Sequence, residues 1–186
     1  GGDDPLLYIT AAVKNNTVTI PGSTITKCSF DGVFTNNYLN GKGLSYENSV
    51  IRFKNMTGLY QKLPFTIDSG NIVNLNKSIA TGNFRSRFPV ADLGALLGNK
   101  VAALNSGEAI INLHYKADIV DYRINKPFVA GSIDLRGADI VYKPDNLTLK
   151  NTSVSLSFVG DDLFLRNIRL QTGRSIVNMN GSVHNF

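Results

Sequence analysis

The chain contains no tryptophan, a single cysteine and only two histidines in 186 residues. Each scarcity removes a class of function. Cys28, being alone, can form neither an intramolecular disulfide nor a cysteine-based metal site, and it reads as a small buried hydrophobe. His114 and His184 lack the spacing that would bring two ligands onto one metal, or a base onto one nucleophile. Both fall on strand positions predicted to face solvent. There is no G-x-S-x-G elbow, no P-loop and no G-x-G-x-x-G dinucleotide turn. No apolar run approaches the ~20 residues of a membrane-spanning helix. The start, Gly1-Gly2-Asp3-Asp4-Pro5, lacks the basic and apolar regions of a signal peptide. The expectation is a protein that is not an enzyme and needs no metal or cofactor.

Charge is also thin. The formal balance of +5 favours anionic partners, yet the nineteen basic residues are scattered, with no run of four. Nucleic-acid binding needs basic residues interleaved with stacking aromatics on one face. Here Phe30, Phe34, Phe84 and Phe88 alternate away from Lys27, Arg85 and Arg87, so they read as core, and nucleic acid is not an expected partner.

What is present is two-residue alternation, the period of a half-buried strand. Ile111, Leu113, Tyr115, Ala117 and Ile119 share one parity, against Asn112, His114, Lys116 and Asp118. The same style recurs in Cys28–Phe34, Leu44–Lys54, Leu63–Ile67, Asn83–Phe88, Ile133–Leu135, Ile140–Tyr142, Leu147–Leu149, Val154–Phe158, Leu163–Leu165 and Val177–Val183. Turns are expected at Asn15-Asn16, Pro21-Gly22, Asn105-Ser106-Gly107, Lys143–Asn146 and Gly160–Asp162. The fold class predicted is mainly β: about a dozen strands in a curved antiparallel sheet, an open groove or sandwich-like, with one apolar and one wet face. Val90, Leu93, Leu96 and Leu97 follow helical spacing instead, which predicts one short helix near 90–97 with Gly98 as its stop. With no interior Pro/Gly-rich linker, residues 1–186 read as a single domain, a fragment of a larger protein.

A degenerate repeat links residues 44–74 to 156–185. Leu44-Ser45-Tyr46 matches Leu156-Ser157-Phe158, Ile51–Asn55 matches Leu163–Asn167, and Gly70–Asn74 matches Gly181–Asn185. Asp145–Asn151 recurs sixteen residues later as Asp161–Asn167. Repetition of a short strand unit implies an architecture built by adding strands, with function in a surface or groove. Asp161-Asp162 reads as hairpin-turn chemistry. Asn55, Asn151 and Asn167 recur at one place in the unit, where asparagine's tolerance of left-handed backbone is expected to close turns.

The unit of an Asp turn, two alternating leucines, a basic residue and Asn, then a small apolar strand opening with Gly, resembles the AsmA-like family. Leu156-Ser157-Phe158, Asp162–Asn167 and Gly181-Ser182-Val183 carry the likeness, and Val50–Leu97 is similar to the family too. The resemblance implies an envelope protein of Gram-negative bacteria, periplasmic and tethered to the inner membrane through a segment absent from this chain. It further implies a part in outer-membrane assembly or lipid transport. The partners it implies are phospholipid or another acyl-chain lipid, and envelope proteins. On that reading the lipid-facing residues are Leu113, Tyr115, Ile119, Leu135, Leu149, Leu156, Phe158, Leu163, Leu165, Val177 and Met179. Two alternatives stand beside it: a parallel β-helix enzyme acting on polysaccharide, and a β-sandwich adhesion or carbohydrate-binding module, against which the missing tryptophan counts.

Overall fold

The computed structural model describes residues 5–20, 23–40, 42–96, 102–121 and 123–184. Ten strands form one sheet in strict chain order: β1 (Tyr8–Ile20), β2 (Ser23–Thr35), β3 (Val50–Tyr60), β4 (Leu63–Val73), β5 (Ser78–Pro89), β6 (Ala102–Val120), β7 (Arg123–Tyr142), β8 (Leu147–Val159), β9 (Asp162–Thr172) and β10 (Ser175–His184). The sheet is antiparallel and not closed, and among the described strands β1 and β10 are its edges. Parallel coils are thereby excluded, and with them the β-helix alternative. A single helix among the described residues, α1 (Val90–Leu96), follows β5 where the spacing predicts it. The proposed stop at Gly98 and the turn at Pro21-Gly22 lie outside the described residues.

Ten strands replace about a dozen because several expected breaks are bulges inside longer strands. Asn15, Lys27 and Asn55 have φ of 46°, 52° and 53°, and each sits at a register shift of β1, β2 or β3. Gly137, Asn151 and Asn167, at φ 59°, 47° and 53°, do the same in β7, β8 and β9. Left-handed backbone suits Asn and Gly at the first position of such a bulge. The three repeated asparagines therefore adopt the predicted backbone but not the predicted role, since they lie mid-strand rather than in turns. Neither Asn15-Asn16 nor Asn105–Gly107 is a turn, because both lie within strands. At the other end of the scale, Leu44–Ser49 is irregular loop and β3 begins only at Val50.

The bulges are tied by side chains from the adjacent strand. The N–H of Asn15 donates to Ser29 Oγ at 2.9 Å, that of Asn151 to Asp139 Oδ1 at 3.0 Å, and that of Asn167 to Asn180 Oδ1 at 2.9 Å. These bonds satisfy donors that the interrupted ladder would leave unpaired. At Asn167, a Gly substitution should leave stability within a few tenths of a kcal/mol of wild type. Asn167→Val should lose about 1–2 kcal/mol through the β-branched residue's left-handed strain. Urea unfolding midpoints of the two variants give the comparison.

By packing, the chain divides into two compact units. The first comprises Gly1–Tyr60, Phe65–Phe84 and His114–Phe128, and the second Gln61–Pro64, Arg85–Leu113 and Val129–Phe186. In the first, buried Ile25, Cys28 and Phe65 pack with Val18, Phe30, Met56, Ile67 and Phe84. Cys28 is fully buried, as expected of a small hydrophobe, and burial pushes its thiol pKa up. In the second, Phe88, Val90, Ala109 and Ala138 are buried with Leu63, Leu93, Leu104, Ile111, Leu135 and Ile140 around them. Val90 and Leu93 bring α1 onto this cluster, and the alanines leave room for it.

Candidate functional site

The bulges decide where the apolar residues point. In β9, Leu163 and Leu165 are odd-numbered while Ile168 and Leu170 are even, and a strict period of two would put them on opposite faces. The extra residue at Asn167 resets the phase. Leu163 lies opposite Val183, Leu165 opposite Gly181, Ile168 opposite Met179 and Leu170 opposite Val177, all on one face of β10. The reset at Asn151 keeps Thr152, Val154, Leu156 and Phe158 in line with Leu149 and Leu147. Gly137 does the same for Ile133 and Leu135 with Ala138, Ile140 and Tyr142. Directly opposed pairs then run across the face: Ile133 with Leu156, Leu156 with Leu165, Phe158 with Leu163, and Ile140 with Leu149.

Cover over this face is unequal. Ala138 beneath the helix cluster is fully buried and Thr152 beside it is 1% exposed, whereas Val177, Met179 and Val183 on β10 are 43–44% exposed. All ten residues of β10 are exposed. Large apolar side chains left this open in a row are the informative observation, since single exposed hydrophobes are ordinary. Thr152 Oγ1 is buried without a hydrogen-bond partner.

Of the eleven residues expected to face lipid, Leu135, Leu149, Leu156, Phe158, Leu163, Leu165, Val177 and Met179 share this face of the second unit. Leu113 belongs to the same unit, two residues along β6 from Ile111 of its core. Tyr115 and Ile119 belong to the first unit. The Tyr115 ring lies against glycines: a Cβ on Gly82 would fall 2.7 Å from its Oη, and one on Gly70 3.6 Å away. Burial pushes the Tyr115 phenol up. Tyr115 is thus packed into the sheet. Ile119 lines a recess of about 490 Å³ with Asn76, Lys77, Ile79 and Asp121. Missing from the expected set were Ile168, Leu170 and Val183, whose partners across the ladder identify them. The signal was available as the phase flip at Asn167.

The opposite face carries polar groups beside Phe164 and Ile176. Ser155 Oγ and Ser132 Oγ donate to the two carboxylate oxygens of Asp134 at 2.5 and 3.3 Å, and His184 Nδ1 lies 2.8 Å from Asp162 Oδ1. His114 is likewise exposed, 3.0 Å from Asn83 Oδ1. Among the described residues no cluster of three His, Cys, Asp or Glu side chains is placed to hold a metal. No described helix is long and apolar enough to cross a membrane.

Arg87 on β5 grips Glu108 on β6 through Nε and Nη2 at 2.5 and 2.7 Å. The hydrogen bond from Arg87 holds the Glu108 carboxyl below its ordinary range. A lowered folded-state pKa gives stability that is present above the unfolded value, about 4.3, and lost as pH falls through the folded one. Glu108→Gln should therefore flatten the acid side of the stability profile, read as urea midpoints between about pH 7 and pH 3.

No family model, curated protein or solved structure matches the chain. The class that the structure defines is mainly β, one open ten-stranded antiparallel sheet with a single short helix among the described residues.

Proposed function

We propose that the chain is a non-enzymatic, AsmA-like periplasmic domain that contributes to outer-membrane assembly or lipid transport by holding acyl chains on the apolar face of β8–β10. It is tethered to the inner membrane through a segment outside this chain, and phospholipid or another acyl-chain lipid is its ligand. The observation that carries this reading is the phase-corrected row of half-open side chains, Leu163, Leu165, Ile168 and Leu170 beside Val177, Met179 and Val183. An extended acyl chain needs a long apolar track and few polar contacts. Each CH₂ taken from water contributes about 0.8 kcal/mol, so several in register bind without any directional group. The resemblance of Leu156–Val183 to AsmA-like repeats supports the same reading.

Organic extraction of the purified protein, followed by mass spectrometry, tests it. Phospholipid or fatty acid should be recovered in a fixed ratio to protein. Lipid-free protein that also takes none from mixed phospholipid vesicles would sink the reading.

A further inference from the structure

Beyond its first limb, where Leu44-Ser45-Tyr46 is loop and Leu156-Ser157-Phe158 is strand, the repeat in the sequence is a repeat in the sheet. Adding 112 to the limits of β3, Val50–Tyr60, gives Asp162–Thr172, the limits of β9. The bulge residues Asn55 and Asn167 coincide under that shift, and both have φ of 53°. Adding 111 to Pro64 and Val73 of β4 gives Ser175 and His184, the ends of β10. The hairpin β9–β10 is therefore a second copy of the hairpin β3–β4. The copies differ in their outer neighbour: the far edge of β4 carries β5, and the far edge of β10 carries no described strand.

A free edge is usually blunted by charge, proline or a bulge, because its unpaired N–H and C=O groups template another strand. The edge at β1 has two of these devices, Lys14 and the bulge at Asn15. The edge at β10 has none. Ser175–His184 contains no Asp, Glu, Lys, Arg or Pro, and its one register shift places the extra residue in β9. All ten residues are exposed.

We infer that the outer edge of β10 is a strand-addition site, and that its partner is an extended polypeptide segment with the pattern of β5, paired antiparallel. In β5, Gly82, Phe84, Ser86 and Phe88 turn inward while Asn83, Arg85 and Arg87 are exposed. A segment of that kind would extend the apolar face past Met179 and keep its charges on the wet side. Backbone hydrogen bonds would supply the affinity and the alternating side chains the register. This pairing uses the strand edge and is independent of whether lipid occupies the face.

The test is a fluorescein-labelled peptide with the sequence of residues 78–89, titrated with the intact protein and followed by anisotropy, beside a scrambled peptide of equal composition. Saturable binding of the first and not the second is expected. On addition of the first peptide, hydrogen exchange should slow at alternate amides of Ser175–His184. Consecutive strand residues point their N–H groups to opposite edges, so of Asn178→Pro and Met179→Pro one keeps the β9 ladder and removes an outward donor. The variant that retains the wild-type circular dichroism should bind the peptide about tenfold more weakly. The inference is overturned if the peptide does not bind, if the scrambled peptide binds equally, or if exchange slows elsewhere. It is also overturned if light scattering gives a dimer whose β10 amides are already protected, since a second copy would then hold the edge.

Discussion

Gly131→Ala should be among the most damaging single substitutions in the chain, lowering stability by about 3 kcal/mol or more. Gly131 lies in β7 with φ of 138°, and a Cβ there would stand 2.1 Å from the Asn112 carbonyl oxygen and 2.9 Å from Leu113 Cα. Those are backbone atoms of β6, which no rotamer change can withdraw. The clash adds to a backbone conformation essentially reserved for glycine. A reciprocal approach occurs at Gly107 of β6, at φ 99°, whose Cβ would meet Ala138 Cα at 2.6 Å and Arg136 O at 2.7 Å. The two longest strands are thus pressed together through one glycine from each. Gly137→Ala, with only Asn151 Oδ1 at 3.8 Å, has room and carries the φ strain alone, about 1–2 kcal/mol. Urea unfolding of the three variants should rank Gly131→Ala and Gly107→Ala well below Gly137→Ala. Equal losses at all three would contradict the close approach.

Phe88→Ala should cost about 3–5 kcal/mol, the range for emptying a buried aromatic site. Phe88 is 3% exposed and stands at the end of β5, where Val90 turns the chain into α1 over Ala109 and Ala138. Small residues beneath the helix have no longer side chains to fill the space left, so collapse into the cavity is limited. Leu93→Ala, on a partly buried residue of the same cluster, should cost less. Thermal unfolding with a matched denaturant series gives both values. A loss under about 1 kcal/mol for Phe88→Ala would mean that the helix is not docked as described.

Much of this architecture was legible in the chain. Alternation in Cys28–Phe34, Ile111–Ile119 and Leu163–Leu165 identified half-buried strands because a sheet with one wet face writes its period directly into the sequence. Val90 and Leu93 marked the helix by the change of period. What alternation alone could not deliver was continuity through a phase flip. Leu135 to Ala138, Leu149 to Thr152 and Leu165 to Ile168 each break the period of two, and a break reads as a strand end. The structure carries each strand through the break, because Gly137, Asn151 or Asn167 supplies an αL bulge. The recurrence of Asn after a basic residue marked the last two of these places, and only the role assigned to it, turn rather than bulge, was mistaken. Close approach was illegible for a different reason. Gly131 and Gly107 are constrained by backbone that lies far along the chain, across β6 and β7, and no local pattern records that.

The same phase correction sharpens the candidate site. Val177 and Met179 belong with Leu170 and Ile168 across the β9–β10 ladder, and the apolar row stays on one face only because Asn167 shifts it there. Lysine at Val177 and Met179 would put two charges in the middle of that row while leaving the buried cluster under α1 untouched, since both residues are exposed. Burying a charge against an acyl chain is strongly unfavourable, so these variants separate lipid binding from folding.

Titration of a fluorescent long-chain fatty acid into the wild-type protein and the Val177→Lys/Met179→Lys variant tests lipid holding on this face most directly. Saturable binding by wild type is predicted, with affinity at least about tenfold lower in a variant of equal thermal stability, a difference of about 1.4 kcal/mol. Equal affinity in the two proteins, or no binding by either, would contradict it.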